Sequence, residues 1–145
     1  MDQKTVKQNV VRDSVAVMKE TCEDFHLNLE EISIRINVSK FKICRCFQII
    51  TGTSPMRWYL IYRTHYAAEL IKSNQGNMEQ IAKKSGFRSS SHFTRSFQSI
   101  YKITPSEFKL QNPDLTKKTA TSNDCHQVAI AKTMSLLDKE SEFFI

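Results

Sequence analysis

The sequence predicts an all-α fold in which two helix-turn-helix subdomains flank one long connecting helix, and three observations carry that expectation. The first is an internal repeat. Asn28, Glu30 and Ile32 return as Asn77, Glu79 and Ile81 at an offset of 49, and Arg45, Phe47, Gln48, Ile50 and Pro55 return as Arg95, Phe97, Gln98, Ile100 and Pro105 at an offset of 50. Self-similarity at such a period marks one supersecondary unit used twice, and the one-residue slip falls after Val38 and Phe87, where a turn absorbs it. The second is periodicity: Ile43, Cys46, Phe47 and Ile50 stand at i, i+3, i+4 and i+7, the core stripe of a helix. The third is the segment between the copies, where Tyr59, Tyr62, Tyr66 and Leu70 keep helical spacing and are expected in the core.

Taken in order, Val11, Val15, Met18 and Cys22 form one apolar stripe of a first helix over about 6–24. Asn28 is placed to cap a short second helix, with Glu31 closing a capping box and Leu29, Ile32 and Ile36 on the buried side. Asn37 stands where the chain turns sharply, because asparagine tolerates the left-handed conformation. Ser39 caps a helix over about 40–51, whose outer face carries Lys40, Phe41, Lys42, Cys44, Arg45 and Gln48. An exposed Phe among cations is poor surface unless something covers it. Ser54-Pro55 supplies an N-cap and an N1 proline for the connecting helix, about 55–73 and about 30 Å long at about 1.5 Å per residue. Ser73 to Gly76 breaks it.

The second copy repeats the logic. Asn77 and Gln80 make another capping box, Ile81 and Ala82 point inward, and Gly86 supplies a positive φ at the turn. A helix over about 90–101 buries Phe93, Phe97 and Ile100 and exposes Ser90, Ser91, His92, Thr94, Arg95 and Gln98. Thr104-Pro105 starts a short closing helix with Phe108 inward. The boundaries are therefore a domain over 1–111, with a first subdomain at about 6–53, the connecting helix at about 54–73 and a second subdomain at about 74–111. Residues 112–145 are a polar linker and C-terminal tail, with a weak amphipathic helix at 125–138 whose apolar side holds Val128, Ala131 and Leu136, ending in Phe143-Phe144-Ile145.

The net charge is +6, and its distribution is more informative than its sum. Residues 1–31 total −3, residues 32–111 total +10 and residues 112–145 total −1. The positive charge lies on the repeated segment, as a footprint for phosphates would. No apolar run has the length of a membrane span and no signal-peptide core is present, so a cytoplasmic protein with reduced cysteines is expected. Cys44 and Cys46 are two apart on a helix and face apart, and the four His are scattered, so no metal or other cofactor is read.

The segments Leu29 to Arg63 and Met78 to Lys109 resemble the DNA-binding domain of the AraC/XylS family of bacterial transcription regulators. Ile81-Ala82, Gly86-Phe87, Ser91-His92-Phe93, Phe97 and Thr104-Pro105 in series match its signature segment, and Arg63 and Ala67 sit where its connecting helix carries Arg and Ala. The resemblance covers roughly residues 10–111. Asn37, where the first turn often has glycine, and Thr64, where an aliphatic residue is usual, depart from it. With barely thirty residues before the first repeat, the chain looks like the short, single-domain MarA/SoxS type.

That resemblance implies a monomer that lays two recognition helices into adjacent major grooves of double-stranded DNA at promoter sites. It also implies an activator that touches RNA polymerase, in the bacterial cytoplasm and on the nucleoid when bound. Carried over by position, Phe41, Cys44 and Arg45 are base-facing on the first recognition helix, and Ser90, Ser91, His92, Thr94 and Arg95 on the second. Arg45 and Arg95 can each make a bidentate pair with a guanine edge, and Phe41 can pack on thymine methyls. Lys40, Lys42, Arg57, Arg88 and Lys102 are phosphate candidates.

Two other functional classes have weaker support in the residues. A regulator acting through protein contacts with a degraded DNA surface is left open by Cys44, Asn37 and the serine-rich second helix. An enzyme is suggested faintly by Asp124-Cys125-His126-Gln127-Val128, which resembles the active-site run of DNA alkyltransferases. The run lacks that motif's proline and arginine, and a nucleophilic cysteine needs a folded pocket to lower its pKa, so no enzyme is expected.

Overall fold

Short polar side chains fix where most of the helices begin. In the computed structural model, which describes residues 2–22, 27–111 and 122–141, the described elements are α1 (Gln3–Glu20), α2 (Leu29–Ile36), α3 (Lys40–Thr51), α4 (Pro55–Lys72), α5 (Met78–Lys84), α6 (Ser90–Tyr101), α7 (Pro105–Gln111) and α8 (Ser122–Ser141). Asn28, Ser39, Ser54, Asn77, Ser89 and Thr104 each accept a hydrogen bond from the backbone N–H three residues on, at 2.8 to 3.3 Å. Each cap satisfies a donor that the first helical turn leaves without an internal partner. The two copies differ in one respect. At α5 the Gln80 side chain accepts from the Asn77 N–H at 3.0 Å and closes the capping box. At α2 the Glu31 carboxylate instead accepts from Arg35 at 3.1 Å, so the second half of the expected box is not made. A charged partner one turn along competes successfully for the carboxylate.

Left-handed residues close the turns at equivalent places in the two copies. Asn37 (φ 56) and Gly86 (φ 77) end α2 and the α5 turn, while Gly52 (φ 77) and Lys102 (φ 67) end α3 and α6. Asn37 therefore adopts the conformation that a glycine would, and the departure from the family pattern leaves the turn intact. Thr64, the other departure, is fully buried and returns its hydroxyl hydrogen to the Leu60 carbonyl at 2.9 Å. Ser14, Thr51 and Thr133 satisfy their buried hydroxyls the same way, on the carbonyl four residues back.

α1 starts earlier and ends sooner than its apolar stripe suggested: Val11 and Met18 are buried on it, Val15 is half-buried, and Cys22 is buried beyond its end. Thr21 at the C-cap turns the chain out of the helix, so Cys22 reaches the core from the turn. α1 packs on α2 and α3, and α4 packs on α3, α5, α6, α7 and α8. The central position of α4 explains its composition, since Trp58, Tyr59, Ile61, Tyr62, Tyr66, Ala67, Ala68, Leu70 and Ile71 are all buried. Tyr59 donates to the Thr21 carbonyl at 3.0 Å, tying α4 to the end of α1. His65 Nδ1 and Tyr101 Oη share a hydrogen bond of 2.6 Å, tying α4 to α6. With 18 residues, α4 is about 27 Å long.

α8 lies against α4 on a face that the sequence did not suggest. Cys125, Ala129 and Thr133, one helical turn apart, are buried with His126, whereas Val128 is 38% exposed and Ala131 is exposed. Small side chains let α8 approach closely enough for His126 to stack on Tyr66, with ring centroids 4.1 Å apart, and to hydrogen-bond Tyr62. Lys132 pairs with Glu69 of α4. Burial and the Lys19 charge hold His126 down at a pKa of about 4, so the stacked ring is neutral near pH 7. Periodicity through Val128, Ala131 and Leu136 misses this face because its fully buried positions are Cys125, His126, Ala129 and Thr133, with Ile130 and Met134 partly buried beside them. Leu136, the linker over 112–121 and Phe143-Phe144-Ile145 lie outside the described side chains. Among the described residues no helix is long and apolar enough to cross a membrane.

Candidate nucleic-acid interface

The outer face of α3 is set by what its inner face buries. With Ile43, Cys46 and Phe47 in the core, Lys40, Phe41, Lys42, Arg45 and Gln48 are left exposed, and Cys44 is half-buried at the border. Phe41 is 82% exposed although it is one of the largest apolar side chains present. It lines a groove of about 450 Å³ between α3 and the start of α1, together with Lys7, Lys42 and Arg45. In the sequence Lys7 is one cation in a net acidic stretch, and only the packing of α1 on α3 brings it beside Phe41.

α6 follows the same scheme with a different surface. Phe93, Ser96 and Phe97 are buried; Ser90, Ser91, Arg95 and Gln98 are exposed; His92 and Thr94 are half-buried. The His92 ring makes a T-shaped contact with Phe87, centroids 5.4 Å apart. Burial and then the charges of Arg95, Arg63 and Arg88 lower its pKa, so His92 is a neutral ring near pH 7 that can both donate and accept one hydrogen bond.

Two cavities adjoin α6 on either side of His92 and Arg95. One, of about 490 Å³, also takes Arg57 from the first turn of α4 and Lys102 from the C-cap of α6. The other, of about 380 Å³, takes Arg63 from α4 and Gly86, Arg88 and Ser89 from the α5–α6 turn. None of the described residues lining these cavities or the α1–α3 groove is acidic. Lys40, Lys42, Arg57, Arg88 and Lys102 are all exposed, and Lys102 Nζ donates to the Ser99 carbonyl at 2.9 Å. Arg63 is different, being only 8% exposed with its guanidinium 3.9 Å over the Tyr59 ring. The signal for it in the sequence is its place, with Ala67, where the connecting helix of the resembled family carries Arg.

Cys125, the candidate nucleophile, is buried on the α4-facing side of α8 with its Sγ 3.9 Å from Ser73 Oγ.

A helix-turn-helix domain family model matches residues 32–111. The HTH-type transcriptional regulator GbdR of Pseudomonas aeruginosa is 29% identical over 106 residues, covering 73% of this chain and 29% of that protein. An uncharacterized HTH-type transcriptional regulator of Haemophilus influenzae is 30% identical over 95 residues, covering 66% of this chain and 31% of that protein. The chain thus spans about 30% of the length of these curated relatives. Among solved structures, a transcriptional regulator from Chromobacterium violaceum described as containing an AraC-type DNA-binding domain superposes with a TM-score of 0.69 at 27% identity, over 76% of this chain and 97% of that one. The DNA-binding domain of AdpA, solved with a target DNA, shares the fold with a TM-score of 0.65 at 21% identity, over 72% of this chain and 96% of that one.

Proposed function

The chain belongs to the AraC-type helix-turn-helix family, and from that premise we propose that it is a sequence-specific transcription regulator whose α3 and α6 enter successive major grooves of one duplex. The observation that carries this reading is the pairing through a single buried helix of two exposed helix faces, a cationic one on α3 and one on α6 that sets Arg95 among serines. α3 and α6 are each 12 residues long, begin at a serine cap and bury two aromatic or aliphatic residues against α4 or its neighbours. The roughly 27 Å of α4 is close to the roughly 34 Å of one DNA turn, so a single protomer can address two half-sites on one face of the duplex.

The roles divide by chemistry. Arg45 and Arg95 are the base readers, each able to give a bidentate pair to a guanine, and Phe41 packs on thymine methyl groups. Cys44, Ser90, Ser91, His92 and Thr94 give weaker, less selective contacts, so α6 contributes more to register than to base choice. Lys40, Lys42, Arg57, Arg88 and Lys102 neutralise phosphates. The protein acts as a monomer and an activator, with RNA polymerase as its protein partner and the cytoplasm as its compartment.

Selection of binding sites from a random duplex library tests the reading. It should return a bipartite, asymmetric motif with its two blocks about one helical turn, roughly 10 base pairs, apart. Enrichment of a palindrome, or of no motif, would count against it.

A further inference from the structure

The inward side of α1 changes character along the helix, and it changes beside the first exposed reader. Counting back from Met18 by helical spacing, the inward positions are Ser14, Val11 and Val10, all buried, and then Lys7 and Gln3. A cation and an amide thus stand where the pattern calls for apolar side chains. Packing alone favours an aliphatic residue at position 7, which would extend the core toward Phe41. Because α1 packs on α3, Gln3, Val6 and Lys7 form one wall of the groove of about 450 Å³, and Phe41, Lys42 and Arg45 stand on the other. Lys7 is half-buried, as a lysine is when its stem is covered and its ammonium group reaches water. The charge order along α1 points the same way. Lys4, Lys7 and Arg12 fall within residues 3–12 with no acidic residue among them, and the acids Asp13 and Glu20 come later, with Lys19. A helix macrodipole favours the reverse, anions first and cations last. The arrangement does not serve the helix; it suits an anionic partner lying along its first turns.

We propose that α1 also contacts DNA: the groove between α1 and α3 seats one sugar–phosphate strand at the first half-site, with Lys7 on a phosphate and Val6 against deoxyribose. The inference rests on the function proposed above, in which Phe41 and Arg45 face the bases of that half-site. With α3 in a major groove, a phosphate strand borders the helix, and the element packed on that flank meets it. Cations on both walls, Lys7 on one and Lys42 and Arg45 on the other, match a chain of regularly spaced anions. Gln3 offers its amide donors to the same strand. Backbone contacts of this kind fix the register and orientation of a reading helix without choosing bases. Lys7 is therefore a positioning residue for α3, held on a separate helix.

The affinity of the full chain for its selected duplex, measured against salt, tests this. Lys7→Gln should reduce the slope of log K on log salt by about 1, which is about a fourfold smaller loss of affinity between about 50 and 200 mM. Lys7→Met, which keeps the length of the stem, should do the same, so the change cannot be laid to lost packing. Lys7→Arg should keep the wild-type slope. Arg12→Gln removes the same charge from an exposed position on the opposite side of α1, and it should keep that slope too. Far-UV circular dichroism checks that each variant is folded. Duplexes carrying single methylphosphonates then locate the contact: one neutralised phosphate at the first half-site should weaken the wild type and leave Lys7→Gln unaffected. An unchanged slope in both Lys7→Gln and Lys7→Met would overturn the proposal, as would an equal reduction in Arg12→Gln. So would a Lys7→Gln variant weakened by every methylphosphonate that weakens the wild type. In those cases a wild type that still binds its bipartite site leaves the functional reading standing. A wild type that binds no duplex from the random library sinks that reading, and this inference with it.

Discussion

Two glycines in this chain share one backbone conformation and differ only in their surroundings, which makes them a controlled pair. Gly52 and Gly86 both have φ near 77°, but a Cβ at 52 would meet nothing within 4 Å, whereas at 86 it would stand 2.2 Å from the Cys22 carbonyl oxygen. Gly52→Ala should therefore cost only the left-handed penalty, about 1–2 kcal/mol. Gly86→Ala bears the same penalty plus a clash with backbone, which cannot rotate away as a flexible side-chain end could. Forced overpacking of this kind adds about 1–3 kcal/mol, giving a total of about 2–5 kcal/mol. Urea unfolding at one pH measures both, with the slope m checked for constancy so that midpoint shifts report stability. With m of about 1–3 kcal/mol per molar for a small protein, the Gly86 variant should unfold at the lower urea concentration by about 1 M. Equal costs at the two sites would refute the packing of the α5–α6 turn against the end of α1, and with it the seating of Arg63.

Other outcomes follow from the same structure. Arg45→Ala and Arg95→Ala should each cost about 1–3 kcal/mol of binding and relax preference at one base pair, read by competition among duplexes differing at single positions; a uniform loss on every sequence would make that arginine a phosphate contact. Ala129→Arg should destabilise the protein severely, because it places a charge in the fully buried α8–α4 contact, while Val128→Arg, one residue away, should stay within about 0.5 kcal/mol in the same urea assay. Stability should fall on acidification. His65 and His126 are both held at about 4 against an ordinary 6.5, His65 by burial and the Lys132 charge, so the unfolded chain binds the extra protons. Their contribution is fully present above pH 6.5 and is lost as pH falls toward 4, at most about 3 kcal/mol for each ring. Urea midpoints at pH 7 and pH 5 should show this slope, and His126→Phe should flatten it.

The repeat made the architecture legible before any coordinates. Both exposed helices, α3 and α6, run between the residues that periodicity indicated, and Asn28, Ser39, Ser54, Asn77 and Thr104 all cap the helices assigned to them. Those signals are local, since a cap acts within three residues and a stripe within two turns. What escaped was long-range. The fully buried positions of α8 among the described side chains are Cys125, His126, Ala129 and Thr133, with Ile130 and Met134 only partly buried, because α4 supplies the aromatic rings and small groups with a flat imidazole fit opposite them. Lys7 gained a place beside α3 only through tertiary packing, which no spacing along the chain encodes. Glu31 shows the same limit at short range, where Arg35, one turn on, takes the carboxylate that the capping box with Asn28 required.

The central claim is that a single protomer bridges two grooves through α4, and hydroxyl-radical footprinting at measured stoichiometry addresses it most directly. One protein per duplex should protect two patches about one helical turn, roughly 10 base pairs, apart on the same face. A single protected patch, or protection that appears only when two proteins are bound, would contradict it.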